Sequence, residues 1–356
     1  MKKLNVAVIF GGYSSEYAVS LKSAHNVISH LDKEKYEIIP IGITKSGDWF
    51  RYYGDIDRII NDEWNTKQDC SPIVLVPDRS AKGILEIKSG AHKFTKIDVL
   101  FPVIHGRTGE DGCLQGLFEL TGIPYVGCGV LSSAIGMDKD IAHRIVQTIG
   151  VKTTKYVIAD GKEKIEDIME RAEGLTYPLF IKPSCAGSSI GVSEVTNKDE
   201  FKAAIEEAAK YGSKVKIEEK VIGSEVGCSI MGTGENLVIG EVDEIVLEYG
   251  FLNTHLQATP EKGSVNSSIR MPAAYPEEMR EKIKETAIAI YKVMECKGLA
   301  RVDMFVTKDN QIYLNEVNTM PGFTTYSRFP LMMQGAGIEI EEVLDFMIND
   351  AITRDA

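Results

Sequence analysis

The sequence has no excess of basic residues, no paired cysteine motif and no long apolar segment. Lysine and arginine number 40 against 52 acidic residues, and the net charge is −12. A duplex-binding surface needs a basic stripe, so we expect no nucleic-acid partner. No window approaches the roughly 18 apolar residues of a membrane span, so we expect no membrane partner. Six cysteines without a C-x-x-C pair predict free thiols in a reducing compartment, which indicates the cytoplasm.

Two common nucleotide-binding fingerprints are also missing. The apolar run 5–10 predicts a buried strand, and Gly11-Gly12 then turns the chain into a helix. However, the order G-x-G-x-x-G is absent and no acidic residue closes a second strand, which argues against a dinucleotide-dependent oxidoreductase. The Gly/Ser loop 184–191 is not a Walker loop, because the G-x-x-x-x-G-K-[ST] order is absent and the loop leads into a strand.

The remaining pattern predicts a mixed α/β (α+β) protein. With 356 residues and 44% hydrophobic content, the chain should divide into two or three domains. An open α/β N-terminal domain is predicted, followed by strands and helices that alternate around the Gly/Ser loop and by a last part with strands, a helix and a hairpin. The predicted strands are 5–10, 37–43, 98–104, 154–159, 178–182, 192–195, 214–219, 226–232 and 237–247, and the later helices are 162–173, 198–210 and 276–296.

The most informative segment is the hairpin formed by 300–306 and 312–318. Both runs are rich in strand formers and flank a polar connector, and a four-residue loop would pair Thr307 with Ile312. That register places Asp303 opposite Glu316. Opposed Cβ atoms lie roughly 5 Å apart, where two carboxylates repel unless a cation neutralises them.

A hard divalent ion held by carboxylate and amide oxygens would suit this pair of acids. A solvated hairpin with an incidental like-charge pair is the alternative. The Pro321-Gly322 turn that follows favours a site, because it reverses the chain beside the acids and offers backbone N–H groups.

The loop after Lys182 has the composition of a phosphate-binding loop. Its small residues let backbone N–H groups and hydroxyls approach an anion, and Lys182 adds a point charge. A merely flexible turn is the alternative. The acidic strand end at 217–219 favours a nucleotide, because adenine needs an acceptor for its amino group and ribose needs a carboxylate.

Taken together, the ordered motifs closely resemble the D-alanine:D-alanine ligase family of ATP-grasp enzymes. The resemblance covers nearly the whole chain and implies a three-domain ATP-grasp fold, with an N-terminal domain at 1–127 for the first substrate, a central domain at 128–218 with the phosphate loop, and a C-terminal domain at 219–356 with the metal site and a lid loop. The motifs are Gly-Gly-x-Ser-Ser-Glu (11–16), His-Gly-x-x-Gly-Glu-Asp-Gly (105–112), Met-Asp-Lys (137–139), Lys-Pro-x-x-x-Gly-Ser-Ser-x-Gly (182–191), Arg-x-Asp (301–303) and Asn-Glu-x-Asn-Thr-x-Pro-Gly (315–322).

The resemblance implies that the chain binds ATP and Mg²⁺. Two Mg²⁺ ions, for which Mn²⁺ could substitute, would be held by Asp303, Glu316 and Asn318. The matching ATP contacts are Lys139 and Lys182 at the phosphates, Ser189 in the phosphate loop, Glu218 and Val221 at adenine, and Glu225 at ribose.

The resemblance also implies the chemistry. The carboxylate of D-alanine attacks the γ-phosphoryl group to give an acyl phosphate, which the second substrate then attacks. The matching residues are Glu16 for the first substrate's ammonium, His105 as a first-site contact, Ser188 in the network that links the loop to the substrates, Arg301 and the Gly322 N–H for the oxyanion, and Ser327 for the second substrate's carboxylate. On the residues alone, the preferred interpretation of Glu16 is an ordinary acidic residue in the first turn of a helix, where the helix dipole favours it.

The segment 250–264 resembles the vancomycin-resistance D-alanine:D-lactate ligases, because it carries His255 and a Pro-Glu-Lys-Gly-Ser run. D-Lactate is therefore the expected acceptor, with D-alanine or D-serine as alternatives. A protonated histidine would favour lactate's carboxylate and disfavour an ammonium, although a solvent-exposed loop histidine is the alternative. The family implies a homodimer. Another ATP-grasp carboxylate ligase and a non-catalytic nucleotide-binding protein remain as other hypotheses.

Overall fold

The structure is a computed structural model that describes residues 2–88, 90–187, 189–247 and 267–354. Two predicted site residues, Ser188 and His255, lie outside the described residues, as does the segment 250–264 that suggested the acceptor.

The first sheet begins at the N-terminus and is mixed. Its order is β6-β5-β4-β3-β2-β1-β7; β1 is parallel to β2 and to β7, and the other pairs are antiparallel. The strands are β1 (Leu4–Gly11), β2 (Tyr36–Ile43), β3 (Trp49–Tyr52), β4 (Cys70–Leu75), β5 (Gly83–Lys88), β6 (Ala91–Lys96) and β7 (Val99–Val103). The accompanying helices are α1 (Tyr17–His30), α2 (Asp57–Ile60) and α3 (Cys113–Thr121).

Alternation along β1 places side chains in two hydrophobic clusters. Val6 and Phe10 belong to a cluster that contains α1 residues and the C-terminal residues Phe323 and Met347. Ile9 belongs to a second cluster, which includes residues of α3. Because successive strand side chains point to opposite faces, the N-terminal sheet is covered on both faces, and the C-terminal part of the chain packs on one of them.

The second sheet carries the Gly/Ser loop 184–191, which we call the phosphate loop after its predicted role. Its order is β10-β9-β11-β8, and all of its pairs are antiparallel. Its strands are β8 (Tyr156–Asp160), β9 (Leu179–Pro183), β10 (Ser193–Val195) and β11 (Lys214–Glu219). Before and between them lie α4 (Val130–Met137), α5 (Lys139–Gln147), α6 (Ile165–Ala172) and α7 (Lys198–Ala209).

The third sheet carries the acidic hairpin. Its order is β15-β14-β12-β16-β17, with β13 paired to β12, and its pairs are antiparallel. Its strands are β12 (Gly223–Thr233), β13 (Asn236–Ile239), β14 (Asp243–Leu247), β15 (Ser267–Arg270), β16 (Leu299–Thr307) and β17 (Ile312–Asn318). The remaining helices are α8 (Glu277–Val293), α9 (Arg328–Gly335) and α10 (Ile340–Thr353).

Three features of the predicted fold need correction. The first sheet is extended by strands between 49 and 96 that the sequence pattern did not indicate. The predicted strand 237–247 is two strands, and the Gly240 N–H between them donates to the Ser229 carbonyl. The predicted Thr307–Ile312 pair is wrong, since Val306 pairs with Ile312. The predicted domain boundaries stay predictions.

Two expectations about composition can be compared with the structure. All six cysteines lie among the described residues and are free thiols, as predicted. In the described part of the chain, no helix is long and apolar enough to cross a membrane.

Candidate functional site

A cleft between the second and third sheets has a volume of about 400 Å³. It is lined by β9, the phosphate loop and β11 on one side, and by residues of β12, β14, β16 and β17 on the other. Every predicted ATP contact and one predicted metal ligand face this space: Lys139, Lys182, Ser189, Glu218, Val221, Glu225 and Glu316. Residues separated by up to 177 positions in the sequence are therefore brought to one cavity (316 − 139).

Lys139 and Glu316 form an ion pair at one end of the cleft. The Lys139 Nζ lies 3.0 Å from a Glu316 carboxylate oxygen and donates to the Ala186 carbonyl of the phosphate loop at 2.8 Å. Burial disfavours ionisation of Glu316, but Lys139 and Lys182 outweigh it and lower the pKa of Glu316 to about 2. Glu316 is therefore a carboxylate at neutral pH, as a metal ligand must be.

Asp303 and Glu316 are directly opposed in the β16–β17 ladder, as predicted. The residue pairing near the turn, however, differs from the predicted one. Val306 pairs with Ile312, and a β-bulge after Asp303 restores the offset. A bulge adds one residue to one strand, so the wrong turn pairing and the correct acid pairing are both explained.

Basic side chains neutralise Asp303. Arg301 donates to both of its oxygens, at distances between 2.7 and 3.1 Å, and the Arg328 Nη1 lies 3.1 Å from Oδ1. Asn318 Nδ2 donates to Oδ2 at 2.8 Å. Asp303 therefore has three basic or amide partners in the described structure without a metal ion, and its oxygens are the type that Mg²⁺ prefers.

The predicted metal ligands are too few to hold an ion by protein side chains alone. Among residues 2–88, 90–187, 189–247 and 267–354, no cluster of three or more His, Cys, Asp or Glu side chains could hold a metal ion. Asp303, Glu316 and Asn318 supply two carboxylates and an amide. Since Mg²⁺ is commonly bound by one or two carboxylates with substrate phosphates and waters, this donor set fits an ion that arrives with a nucleotide.

Glu218 lies on the side of the cleft formed by β11. It forms ion pairs with Lys182 and, at 2.7 Å, with Lys216, and the Thr154 hydroxyl donates to Oε2 at 2.6 Å. Burial opposes its ionisation, but the two lysines hold its pKa well below the ordinary value. Glu218 can therefore act as a charged acceptor.

Glu225 lines the cleft from β12 and contacts a buried arginine that sequence reasoning missed. Arg328 makes a two-pronged ion pair with Asp243 at 2.7 and 2.8 Å, and its Nη1 lies 3.5 Å from Glu225. Burial raises the pKa of Glu225 to about 7, with Arg328 opposing the shift and Asp303 adding to it. Arg328 directly follows Ser327, but the sequence does not show that Asp243 is its partner.

Glu16 lies where two glycine loops meet. It is the N-cap residue of α1, and its side chain does not cap the helix. A Cβ built on Gly106 would lie 2.3 Å from Glu16 Oε2, and one built on Gly187 would lie 3.2 Å from it. The Gly106 N–H donates to Glu110 Oε2 at 2.9 Å, and burial followed by the charge of Glu16 raises the pKa of Glu110 well above its ordinary value. Glu16 therefore lies beside both the His-Gly loop and the phosphate loop.

His105 connects the N-terminal domain to the segment after the hairpin. It is 4% exposed; Nδ1 lies 2.9 Å from the Met320 carbonyl and Nε2 lies 3.1 Å from Ser23 Oγ. Burial lowers its pKa, so the neutral ring donates from Nδ1 and accepts at Nε2. Both nitrogens have protein partners, and the predicted contact with the first substrate stays a prediction.

The turn after β17 brings two more predicted residues together. A Cβ built on Gly322 would lie 2.7 Å from Ser327 Oγ. The Ser327 hydroxyl accepts from the Thr324 N–H at 3.0 Å and is 2.7 Å from the Thr324 hydroxyl. Their proposed roles with the second substrate stay predictions.

Two family models match the chain. The model described as D-ala D-ala ligase N-terminus matches residues 5–128, and that described as D-ala D-ala ligase C-terminus matches residues 145–349. Together they include the acidic hairpin, the loop around Glu16 and, apart from Lys139, the described residues that line the cleft.

Individual proteins are similar over almost their whole length. A Streptomyces coelicolor protein, provisionally described as a D-alanine–D-lactate ligase, is 46% identical over 353 residues, which cover 99% of each chain. The vancomycin/teicoplanin A-type resistance protein VanA of Enterococcus faecium is 46% identical over 348 residues, or 98% of each chain. The crystal structure of the VanG D-Ala:D-Ser ligase from Enterococcus faecalis matches with a TM-score of 0.90 and 46% identity, covering 98% of this chain and 100% of that chain.

Proposed function

Because the chain belongs to the D-alanine–D-alanine ligase family, we propose that it is an ATP-dependent ligase that joins D-alanine to D-lactate. The product would be a peptidoglycan precursor of the vancomycin-resistance type. The reaction would release ADP and pass through D-alanyl phosphate. D-Serine or D-alanine is the alternative acceptor.

The observation that supports this proposal best is the cleft between the second and third sheets. Lys139 and Lys182 face its interior beside the phosphate loop, and Glu218 and Glu225 line the same cavity and offer acceptors. We assign Lys139, Lys182 and Ser189 to the phosphates, Glu218 and Val221 to adenine, and Glu225 to ribose. Lysine side chains and backbone N–H groups stabilise phosphate charge, which is most of what phosphoryl transfer requires.

The first substrate would bind between Glu16 and the phosphate loop. A carboxylate beside Gly106 and Gly187 is suited to an ammonium group. The raised pKa of Glu110, caused by burial and then by the charge of Glu16, disfavours a second negative charge beside it. The substrate carboxylate would then point to the γ-phosphate. Ser188 would link the loop to the substrates, and His105 would hold the surrounding loop.

We further propose that Asp303, Glu316 and Asn318 hold two Mg²⁺ ions. The ions would neutralise charge on the terminal phosphates when bound. The protein's own part is to hold both side chains in place: Arg301 and Arg328 pair with Asp303, and Lys139 pairs with Glu316 and lowers its pKa.

The acceptor would bind at the turn after β17. Ser327 would contact its carboxylate, and the Gly322 N–H with Arg301 would hold the oxyanion formed when the acceptor attacks. His255 would favour D-lactate, since a protonated imidazole attracts its carboxylate. We also propose that the enzyme is cytoplasmic and forms a homodimer.

A product assay tests the proposal. The protein is incubated with ATP, Mg²⁺ and D-alanine, with D-lactate, D-serine or further D-alanine as acceptor, and products are identified by mass. D-Alanyl-D-lactate should dominate, with one ADP released per bond formed. A dominant D-alanyl-D-serine or D-alanyl-D-alanine product would replace the acceptor assignment. ATP turnover that D-alanine does not stimulate would refute the ligase proposal.

A further inference from the structure

A buried lysine, Lys216, pairs with Glu218, the residue whose carboxylate we assign to adenine. The Lys216 side chain on β11 is 0% exposed. Its Nζ lies 2.7 Å from Glu218 Oε2 and 3.0 Å from His143 Nδ1. The ammonium also lies 4.6 Å from the centre of the Tyr156 ring. Burying a lysine is costly unless it is paired, so this position needs an explanation.

His143 holds Lys216 from the opposite side. Its Nε2 lies 3.0 Å from the Asn315 carbonyl, so Nε2–H donates there and Nδ1 accepts from the ammonium. Burial, with the charge of Lys216, lowers the pKa of His143 to about 3. The imidazole is therefore neutral at physiological pH. This chain of contacts joins Glu218 to the residue before Glu316.

The charges around Glu218 show what Lys216 contributes. Lys182 and Lys216 both pair with this one carboxylate. Lys182 also faces the cleft, whereas Lys216 does not line it. If Lys182 turns toward a phosphate, the Lys216 ammonium still pairs with the Glu218 carboxylate from the side away from the cleft. Without it, Lys182 would be the main counter-ion of Glu218 and would be drawn away from the phosphates.

We propose that Lys216 is a positioning residue for nucleotide recognition, whose ammonium, held by His143, fixes Glu218 to accept the adenine amino group and leaves Lys182 available for phosphate. This inference rests on the proposed function for the identity of the nucleotide. It adds a residue outside the cleft on which base selectivity depends.

The arrangement makes base selectivity depend on pH. Burial lowers the pKa of Lys216 to about 8, with Glu218 opposing the shift and Lys182 adding to it. The charged or titratable groups that act on the ammonium are Glu218 on its own strand, Lys139 and His143 on α5, Tyr156 on β8 and Lys182 on β9. His143 stays neutral and Tyr156, whose pKa burial raises, stays protonated, so loss of a proton from Lys216 removes the charge that holds Glu218.

The test compares two ligands that differ at the purine 6-position. ADP has the amino group, and purine riboside 5′-diphosphate has hydrogen there; neither base titrates near pH 8. Calorimetry with Mg²⁺ gives both Kd values. The wild type should prefer ADP by about tenfold, because a site built around a hydrogen bond rejects a ligand that lacks it. Lys216→Met should weaken ADP binding by about tenfold more than it weakens binding of the analogue, so that the preference for ADP is lost. Both ligands should also lose some affinity in common, because Lys182 is drawn toward Glu218 and away from the phosphates.

Lys214→Met is the matched control. Lys214 is on the same strand and also forms ion pairs, but with Asp138 and Asp140 rather than with Glu218. It should keep the wild-type preference for ADP. If Lys216→Met keeps the preference, or if Lys214→Met loses it equally, the positioning role is overturned. Retained binding of the analogue by Lys216→Met shows that its cleft is intact.

A second measurement needs no variant. The ratio of the two wild-type Kd values, measured from pH 7 to 9.5, should fall toward one with a midpoint near the Lys216 pKa of about 8. A ratio that stays high and flat overturns the role of Lys216. A wild type that binds both ligands equally at pH 7 instead overturns the adenine assignment of Glu218, so the two failures are distinguishable.

Discussion

Removing Arg328 should destabilise the protein more than removing any exposed basic residue. The Asp243 carboxylate is 0% exposed and the Arg328 side chain is 10% exposed, and two short contacts of 2.7 and 2.8 Å join them. Asp303 keeps Arg301 as a partner, so Arg328→Met mainly leaves Asp243 as an uncompensated buried charge. Breaking such a pair costs about 3–5 kcal/mol of unfolding free energy.

The assay is urea unfolding monitored by far-ultraviolet circular dichroism. Free energies of unfolding are compared between variants whose m-values, the slopes of the unfolding free energy against urea concentration, are equal. Adding Asp243→Asn to Arg328→Met should recover about half of the loss, because the amide leaves no unpaired charge in the interior. The matched control is Arg270→Met. Arg270 pairs with Glu244 at 3.2 Å, but its side chain is 51% exposed, and a pair of this kind contributes less than about 1 kcal/mol.

Two results would refute this reasoning about Arg328. One is a loss below about 1 kcal/mol, which would make the buried pair equivalent to the exposed one. The other is a double variant with Asp243→Asn that is no more stable than the single variant, which would mean that the unpaired charge is not the cause.

Three further predictions concern the acids, the acceptor and the glycine loops. Burial alone would raise the pKa of Glu316, but Lys139 outweighs burial, and the net effect lowers the pKa from 4.5 to about 2. The ionised Glu316 therefore stabilises the folded protein above pH 4.5, and this stabilisation is lost as the pH falls toward 2. Glu316→Gln should therefore be less stable than wild type by up to about 3 kcal/mol at pH 6, and by much less at pH 3, in urea unfolding. Ester formation should dominate at mildly acidic pH and dipeptide formation should rise with alkalinity, and His255→Ala should flatten this product ratio. Gly106→Ala would put a Cβ 2.3 Å from Glu16 at a φ of +72°, so KM for D-alanine should rise by about tenfold or more in an ADP-release assay.

Each of these has a control or a contrary result. Gly174→Ala is the control for the loop variant, since a Cβ there meets nothing within 4 Å, and it should leave KM unchanged. An equal deficit of Glu316→Gln at both pH values would contradict the pKa assignment. A product ratio that does not change with pH in the wild type would contradict the role of His255.

The sequence predicted the acidic pair but not the details of its hairpin. The register expected from a four-residue loop placed Asp303 opposite Glu316, and this pair is correct although the turn pairing is not, because the bulge restores the offset. The bulge after Asp303 has no sequence signal, and it moved the turn pairing by one residue. The strands between 49 and 96 were missed because their short apolar runs are separated by polar residues.

The partners of buried charges were the other omission. Arg328 meets Asp243, which is 85 positions away, and Lys216 meets His143, which is 73 positions away. Helix and strand periodicity reports which face a residue occupies, whereas these pairs depend on how the sheets pack. A lysine between apolar residues on β11 was the one available hint that Lys216 is special.

Oxygen transfer from D-alanine to phosphate tests the central claim most directly. The protein is given ATP, Mg²⁺, acceptor and D-alanine labelled with ¹⁸O in its carboxylate, and the released phosphate is analysed by mass spectrometry. If that carboxylate attacks the γ-phosphoryl group, the phosphate carries one ¹⁸O atom when the acceptor breaks the acyl phosphate. Unlabelled phosphate accompanying a correctly formed product would contradict the account.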